Sequence, residues 1–227
     1  METLKKPIPV RVEIAAILRK ALFTGEYKSG DELSLTGVAA QLGVSRTPVR
    51  EAFQTLESEG LIELRMNKGA IVKPIDDRYI TGHFETRELL ESEAAYRAAQ
   101  RGMEDAPALL KRLKTLQKDM DKSADKSKGG NMDVDKVQTE EYESLNHDIH
   151  TAIWAAAQND CMAGILQNLW NGPSVSITSP KADHYRQSTE EHIAIITAIE
   201  KKDAETAREV MAKHIRRSMN NILQNLG

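Results

Sequence analysis

The sequence predicts a mainly α protein in two parts. A winged helix-turn-helix is expected over residues 1–75 and an all-α helical bundle over 81–227, with a short linker at 76–80. Three observations carry this. Three helix-length apolar patterns and a hairpin pattern follow one another in the first part. Beyond the linker the pattern is helical to the end, in six segments. Aromatics make up only 4% of the chain, while Leu, Ala, Ile and Glu are plentiful, a composition that favours helix.

Residues 10–24 read as the first helix, with Val10, Ile14, Ile17, Leu18 and Ala21 on one apolar stripe. Gly25 and Gly30 punctuate the turn behind it. A second helix, roughly 35–42, offers Leu35, Val38, Ala39 and Leu42 before Gly43 breaks it. In "QLGVSRTPVREAF" Ser45 stands where an N-cap belongs and Pro48 falls in the first turn of a third helix. First-turn amides have no intrahelical acceptor, so the proline costs little there and helps fix the helix start. Val49, Phe53 and Leu56 recur at i, i+4 and i+7 and are expected in the core, which puts Arg46 and Arg50 together on another face. After Gly60, "LIELRMNKGAIVKPI" alternates Ile62, Leu64 and Met66, then Ala70 and Val72, around "NKG": a β-hairpin.

The rear part is amphipathic over 83–100 and 108–120. "DKSADKSKGGNMDVD", residues 121–135, is charged and nearly free of apolar residues, and reads as a mobile surface loop. Helices are expected over 138–158, 161–171, 184–201 and 203–225, with Asn171-Gly172-Pro173 ending one of them.

A helix-turn-helix reads base edges from the N-terminal residues of its second helix. Arg46 and Arg50 suit that role, because the planar guanidinium fork matches guanine O6 and N7. Ser45 and Thr47 add phosphate hydrogen bonds where free amides already favour an anion. Lys68 and Gly69, at the hairpin tip, suit contact with a backbone or minor groove. Residues 1–75 carry a net charge of +2 and residues 76–227 one of −5, a weak asymmetry compatible with a nucleic-acid reader joined to something else.

In "YESLNHDIHTAIW", Asn146 and His150 are four apart and share a helix face from which His147 is turned away. His192 precedes the apolar run Ile193, Ile195, Ile196 and Ile199, and His214 lies in "AREVMAKHIRRSM". A single helical histidine is more often a surface or hydrogen-bonded residue than a ligand. Here, a turn at Lys202-Asp203 lies about ten residues from each of the last two, so folding those helices together brings them level. Three imidazoles plus one oxygen would hold a divalent transition metal, Zn or Ni foremost, with positions left open.

The one cysteine, Cys161, excludes an intrachain disulfide framework. The start, "METLKKPIPVRVEI", lacks a signal-peptide core, and no apolar run approaches the roughly 18 residues of a membrane helix. A cytoplasmic protein without membrane partners is expected.

"GVSRTPVREAFQTLESEGLIELRMNKGAIV", with "LRKALFTGEYKSGDEL" before it, resembles the DNA-binding signature of the GntR family of bacterial transcriptional regulators. The resemblance covers most of residues 10–75. It implies operator contacts by Ser45, Arg46, Thr47, Arg50 and Gly69. Phe53 departs from the commoner leucine, and Thr36-Gly37 is an unusual start to the second helix. "FETRELLESEAAYRAAQ", "LNHDIHTAIWAAAQND" and "EEHIAIITAIEKKDAETAREVMAKHI" are similar in order and spacing to the helical ligand-binding domain of the FadR subfamily, called FCD. That resemblance implies a metal held by Asn146, His150, His192 and His214, with a neutral asparagine where aspartate is common. It also implies a small organic acid effector, whose carboxylate Arg87 could meet. Beside Glu88 and Glu91, Arg87 reads equally as a member of a surface ion pair.

The expected protein is a homodimeric repressor of a metabolic operon, bound to pseudo-palindromic double-stranded operator DNA and modulated by the effector. The same regulator with a metal-free effector cavity is an alternative. From another class, open histidine coordination also suits a metal-dependent hydrolase, but no general base stands in a motif such as H-E-x-x-H.

Overall fold

The computed structural model describes residues 9–66, 68–126, 136–170, 172 and 182–224. Two compact units divide it, with the boundary between Ile80 and Thr81.

The first unit contains α1 (Val10–Phe23), α2 (Leu35–Leu42), α3 (Arg46–Ser58) and a three-stranded antiparallel sheet. Its strands are β1 (Glu32–Leu33), β2 (Ile62–Arg65) and β3 (Gly69–Val72), in the order β1-β3-β2. Helix α2 starts at Ser34, whose Oγ accepts from the Gly37 amide at 2.8 Å. A Cβ at position 37 would lie 2.8 Å from that oxygen and would have to displace the capping hydroxyl. The amphipathic period of α3 works as read: Val49, Phe53 and Leu56 are fully buried. They pack with Ile14, Leu18 and Leu22 of α1 and with Leu61, Ile62 and Val72. Burying each such side chain contributes about 1.5–3 kcal/mol against a loss of chain entropy of similar size.

Two expectations for this unit need correction. Val10 and Ile17 are exposed, because the stripe that meets α3 is Ile14, Ala15, Leu18, Ala21 and Leu22. Met66 is 90% exposed, since strand pairing ends at Arg65 opposite Gly69 and the alternation stops with it. The expected hairpin forms, as the edge and centre of a sheet that also includes β1, which pairs Leu33 with Ala70.

The second unit is built from α4 (Asp77–Arg101), α5 (Ala106–Lys126), α6 (Lys136–Ala156), α7 (Asp160–Trp170), α8 (Ala182–Glu200) and α9 (Ala204–Leu223). Residues 77–80, expected as part of a linker, are the first turn of α4, with the Tyr79 amide bonded to the Asp76 carboxylate. Residues 121–126, expected as loop, continue α5, and 127–135 lie outside the described residues. So do Asn171, Pro173 and the end of the last expected helix. Ala94, Ala95, Ala98 and Ala99 give α4 a wholly buried small-residue face. Leu113 and Leu116 of α5, Ile149 and Ile153 of α6, and Ile195, Ile196 and Ile199 of α8 fill the centre. Lys202, at φ +57°, turns the chain between α8 and α9, and the Asp203 side chain caps α9 by accepting from the Thr206 amide at 3.2 Å. Among the described residues, no helix is long and apolar enough to cross a membrane.

Candidate metal centre and DNA-reading helix

On α3, Ser45, Arg46, Thr47 and Arg50 are all exposed. Ser45 occupies the N-cap position with extended backbone, yet its side chain caps nothing. The contrast with Ser34 leaves the Ser45 hydroxyl and the first amides of α3 available to an anion. Among the described residues, no acidic side chain pairs with Arg46 or Arg50, whereas Arg11 and Arg19 are held by Glu51 and Glu59. Lys68 is exposed in the hairpin turn. Gly69 has a structural duty of its own: at φ +94°, any Cβ would collide with the Leu33 carbonyl oxygen of β1.

In the second unit, His150 of α6, His192 of α8 and His214 of α9 converge. All three are buried, and one nitrogen from each lies within 4.8 Å of the others. Nε2 of His150 and Nε2 of His192 are 3.3 Å apart. Around a tetrahedral ion with bonds of about 2.1 Å, neighbouring nitrogens stand about 3.4 Å apart, so this edge already fits and the remaining ones need modest closure. Burial first, then the neighbouring His214 and His150, holds the His192 pKa well below its ordinary value. His214 is also lowered by burial, against the opposing pull of its bond to Glu191. Neutral imidazoles at neutral pH are what a metal requires.

Carboxylates back two of these rings. Glu91 of α4, fully buried, accepts from His150 Nδ1 and, at 3.2 Å, from Trp154 Nε1. Its other oxygen takes Arg87 Nε and Nη2 at 2.9 and 2.6 Å. Burial alone would raise the pKa of Glu91, but His150 and Arg87 outweigh it and hold the group well below the carboxylate range. On the far side Glu191 accepts from His214 Nδ1 at 2.8 Å, and Arg217 grips both its oxygens at 2.6 and 2.7 Å. Burial opposes its ionisation too, but the His214 and Arg217 bonds bring the pKa down to about 2.

Arg87 is therefore no surface ion-pair member. It is buried, bonded to Glu91, with its guanidinium carbon 5.3 Å from the Phe84 ring centre and 5.1 Å from that of Trp170. Asn146 lies on α6 one turn before His150 and is partly exposed. His147 is exposed and meets the edge of Trp170 instead.

Glu91, Glu191 and Arg217 were not anticipated as parts of the site. Glu91 stands 59 residues before His150 and Glu191 stands 23 before His214, so no local spacing marks either pairing. The i, i+4 relation of Arg87 to Glu91 was the one available sign.

The model of the FCD domain matches residues 83–217. That of the bacterial regulatory proteins of the gntR family matches residues 11–72. The Uxu operon regulator of Haemophilus influenzae is 27% identical over 221 residues, which cover 89% of this chain and 77% of that protein. The HTH-type transcriptional repressor RspR of Escherichia coli is 24% identical over 219 residues, covering 95% of this chain and 90% of its own. The solved structure of E. coli McbR/YncC shares the fold with a TM-score of 0.69 at 21% identity, over 97% of this chain and all of that one.

Proposed function

The chain belongs to the gntR family of bacterial regulatory proteins, with an FCD domain as its second unit, and on that premise we propose that it is a homodimeric repressor of a metabolic operon. The family regulates transcription, which sets aside a hydrolytic role for the histidines. Each protomer reads one half of a pseudo-palindromic operator with Arg46 and Arg50 on base edges. Ser45 and Thr47 bind phosphate, while Lys68 and Gly69 meet the DNA at the wing. A small organic acid bound in the second unit alters operator affinity, and by linkage operator alters the affinity for that acid to the same degree. RspR is named a repressor and the Uxu protein an operon regulator, which supports the sign and the setting.

One observation carries the ligand side of this reading: three buried imidazoles from three helices converge with their donor atoms within 4.8 Å. With Asn146 as oxygen donor, they suit Zn or Ni, and a bound ion would supply open positions for an effector carboxylate. Arg87 offers that carboxylate the Nη1 edge that Glu91 leaves unused.

Anisotropy of labelled DNA from upstream of the gene tests the whole reading. Titrations with and without Zn2+ and a panel of hydroxy and dicarboxylic acids should reveal one acid class that shifts the operator Kd. Sedimentation should give a dimer. A monomer, or binding that does not distinguish this DNA from random sequence, would overturn the proposal.

A further inference from the structure

The two carboxylates behind the histidine cluster form a repeated device. His150 donates a hydrogen bond from Nδ1–H to Glu91, which is paired with Arg87; His214 donates one from Nδ1–H to Glu191, which is paired with Arg217. Both units of the device are largely removed from water. Side-chain exposures are 0% for Glu91 and 10% for Arg87, 12% for Glu191 and 13% for Arg217. Each carboxylate carries a full countercharge, so neither is a candidate to bind the ion directly without breaking a buried pair. His192 has no counterpart. Its Nδ1 is buried and has no hydrogen-bond partner among the described residues.

We propose that Glu91 and Glu191 are positioning residues that fix the metal-binding tautomers of His150 and His214, leaving His192 as the one ligand that must change tautomer when the ion enters. This inference rests on the histidine cluster being the metal site proposed above. The reason is hydrogen-bond direction. A carboxylate can only accept, so Nδ1 of His150 and of His214 must carry the proton, and a ring holding that single proton keeps its lone pair on Nε2. Because His150 Nε2 is then a bare acceptor, the 3.3 Å contact with His192 Nε2 requires His192 to be the donor. The metal-free site therefore holds two Nδ1–H rings and one Nε2–H ring. Binding an ion through His192 Nε2 moves that proton to Nδ1, where no described acceptor receives it. The carboxylate–histidine pairs preorganise two ligands and raise their basicity. The third is the soft point of the site, the ligand through which metal exchanges.

Ring 15N shifts of the metal-free full-length protein at pH 8 test this without any ion. The expected pattern is Nδ1–H at His150 and His214 and Nε2–H at His192, the last switching to Nδ1–H when Zn2+ is added. Glu91→Gln and Glu191→Gln should each weaken Zn2+ binding in competition titrations by about 10–100-fold. Glu191→Gln is the safer variant, since the carboxylate reaches solvent and the amide keeps its shape. Circular dichroism of the metal-free variants then separates a folding defect from a binding one. An Nε2–H ring at His150 or His214, or wild-type Zn2+ affinity in a folded Glu191→Gln protein, overturns the inference. If the wild type takes up no Zn2+, the metal reading fails, while the shifts of the metal-free rings still decide the tautomers.

Discussion

Replacing Arg50 by alanine isolates the DNA-reading role from the fold. Arg50 is exposed on α3, and no described side chain pairs with it. Alanine is also the better helix former, so stability should move by no more than about 0.5 kcal/mol. A bidentate arginine–guanine contact is worth about 1–3 kcal/mol of discrimination. Two reading heads double that to about 2–6 kcal/mol, or roughly 30-fold to 10⁴-fold in operator affinity, since about 1.4 kcal/mol is tenfold. The assay is fluorescence anisotropy on operator and scrambled duplexes at two salt concentrations, beside a urea denaturation of the same sample. Arg50→Ala should lose operator affinity and keep most of its non-specific binding. Lys68→Ala, the phosphate-contact control, should weaken both duplexes alike and reduce the salt slope by about two, one for each protomer. An Arg50→Ala protein that retains the wild-type operator preference refutes the assignment of α3 as the reading helix.

Gly69→Ala should destabilise the first unit and weaken DNA binding together, because its Cβ meets the Leu33 carbonyl at a positive φ; unchanged unfolding would remove the structural role. Asn146→Asp should tighten Zn2+ binding by adding a charged oxygen donor, read by competition titration, and an unchanged Kd would take residue 146 out of the ligand set. The metal-free protein should lose stability as pH falls from about 6.5 toward 4. Burial holds His83 and His184 down at about 4 and keeps His192 well below its ordinary value, so the unfolded chain takes up protons in that window and the folded one does not. The urea midpoint at pH 7.5 should exceed that at pH 5, and equal midpoints would contradict this.

Much of the first unit was legible because its signals are local. Gly43 ends α2, the three-four period of Val49, Phe53 and Leu56 fixes the buried face of α3, and the turn around Lys68 marks the hairpin. Strand β1 was not legible, as two residues have no period and exist only through pairing with β3. In the second unit the level of His192 against His214 followed from the turn at Lys202 and Asp203. Glu91 was hidden in a run of acidic residues that reads as solvated surface. What buries it is the partner set of Arg87, His150 and Trp154, assembled from helices far apart in the chain. Arg87 changed meaning with it, from a candidate surface ion-pair member to the buried countercharge of a buried carboxylate.

As proposed, His150, His192 and His214 hold a divalent transition metal inside the helical domain of a DNA-binding regulator, and metal content decides it. Elemental analysis of protein purified without chelator, wild type beside His192→Ala, tests it most directly. A stoichiometric divalent transition metal is expected in the wild type and little or none in the variant. Chelation should lower the melting temperature of the wild type only. Equal and negligible metal in both proteins, with no chelator effect on either, would contradict it.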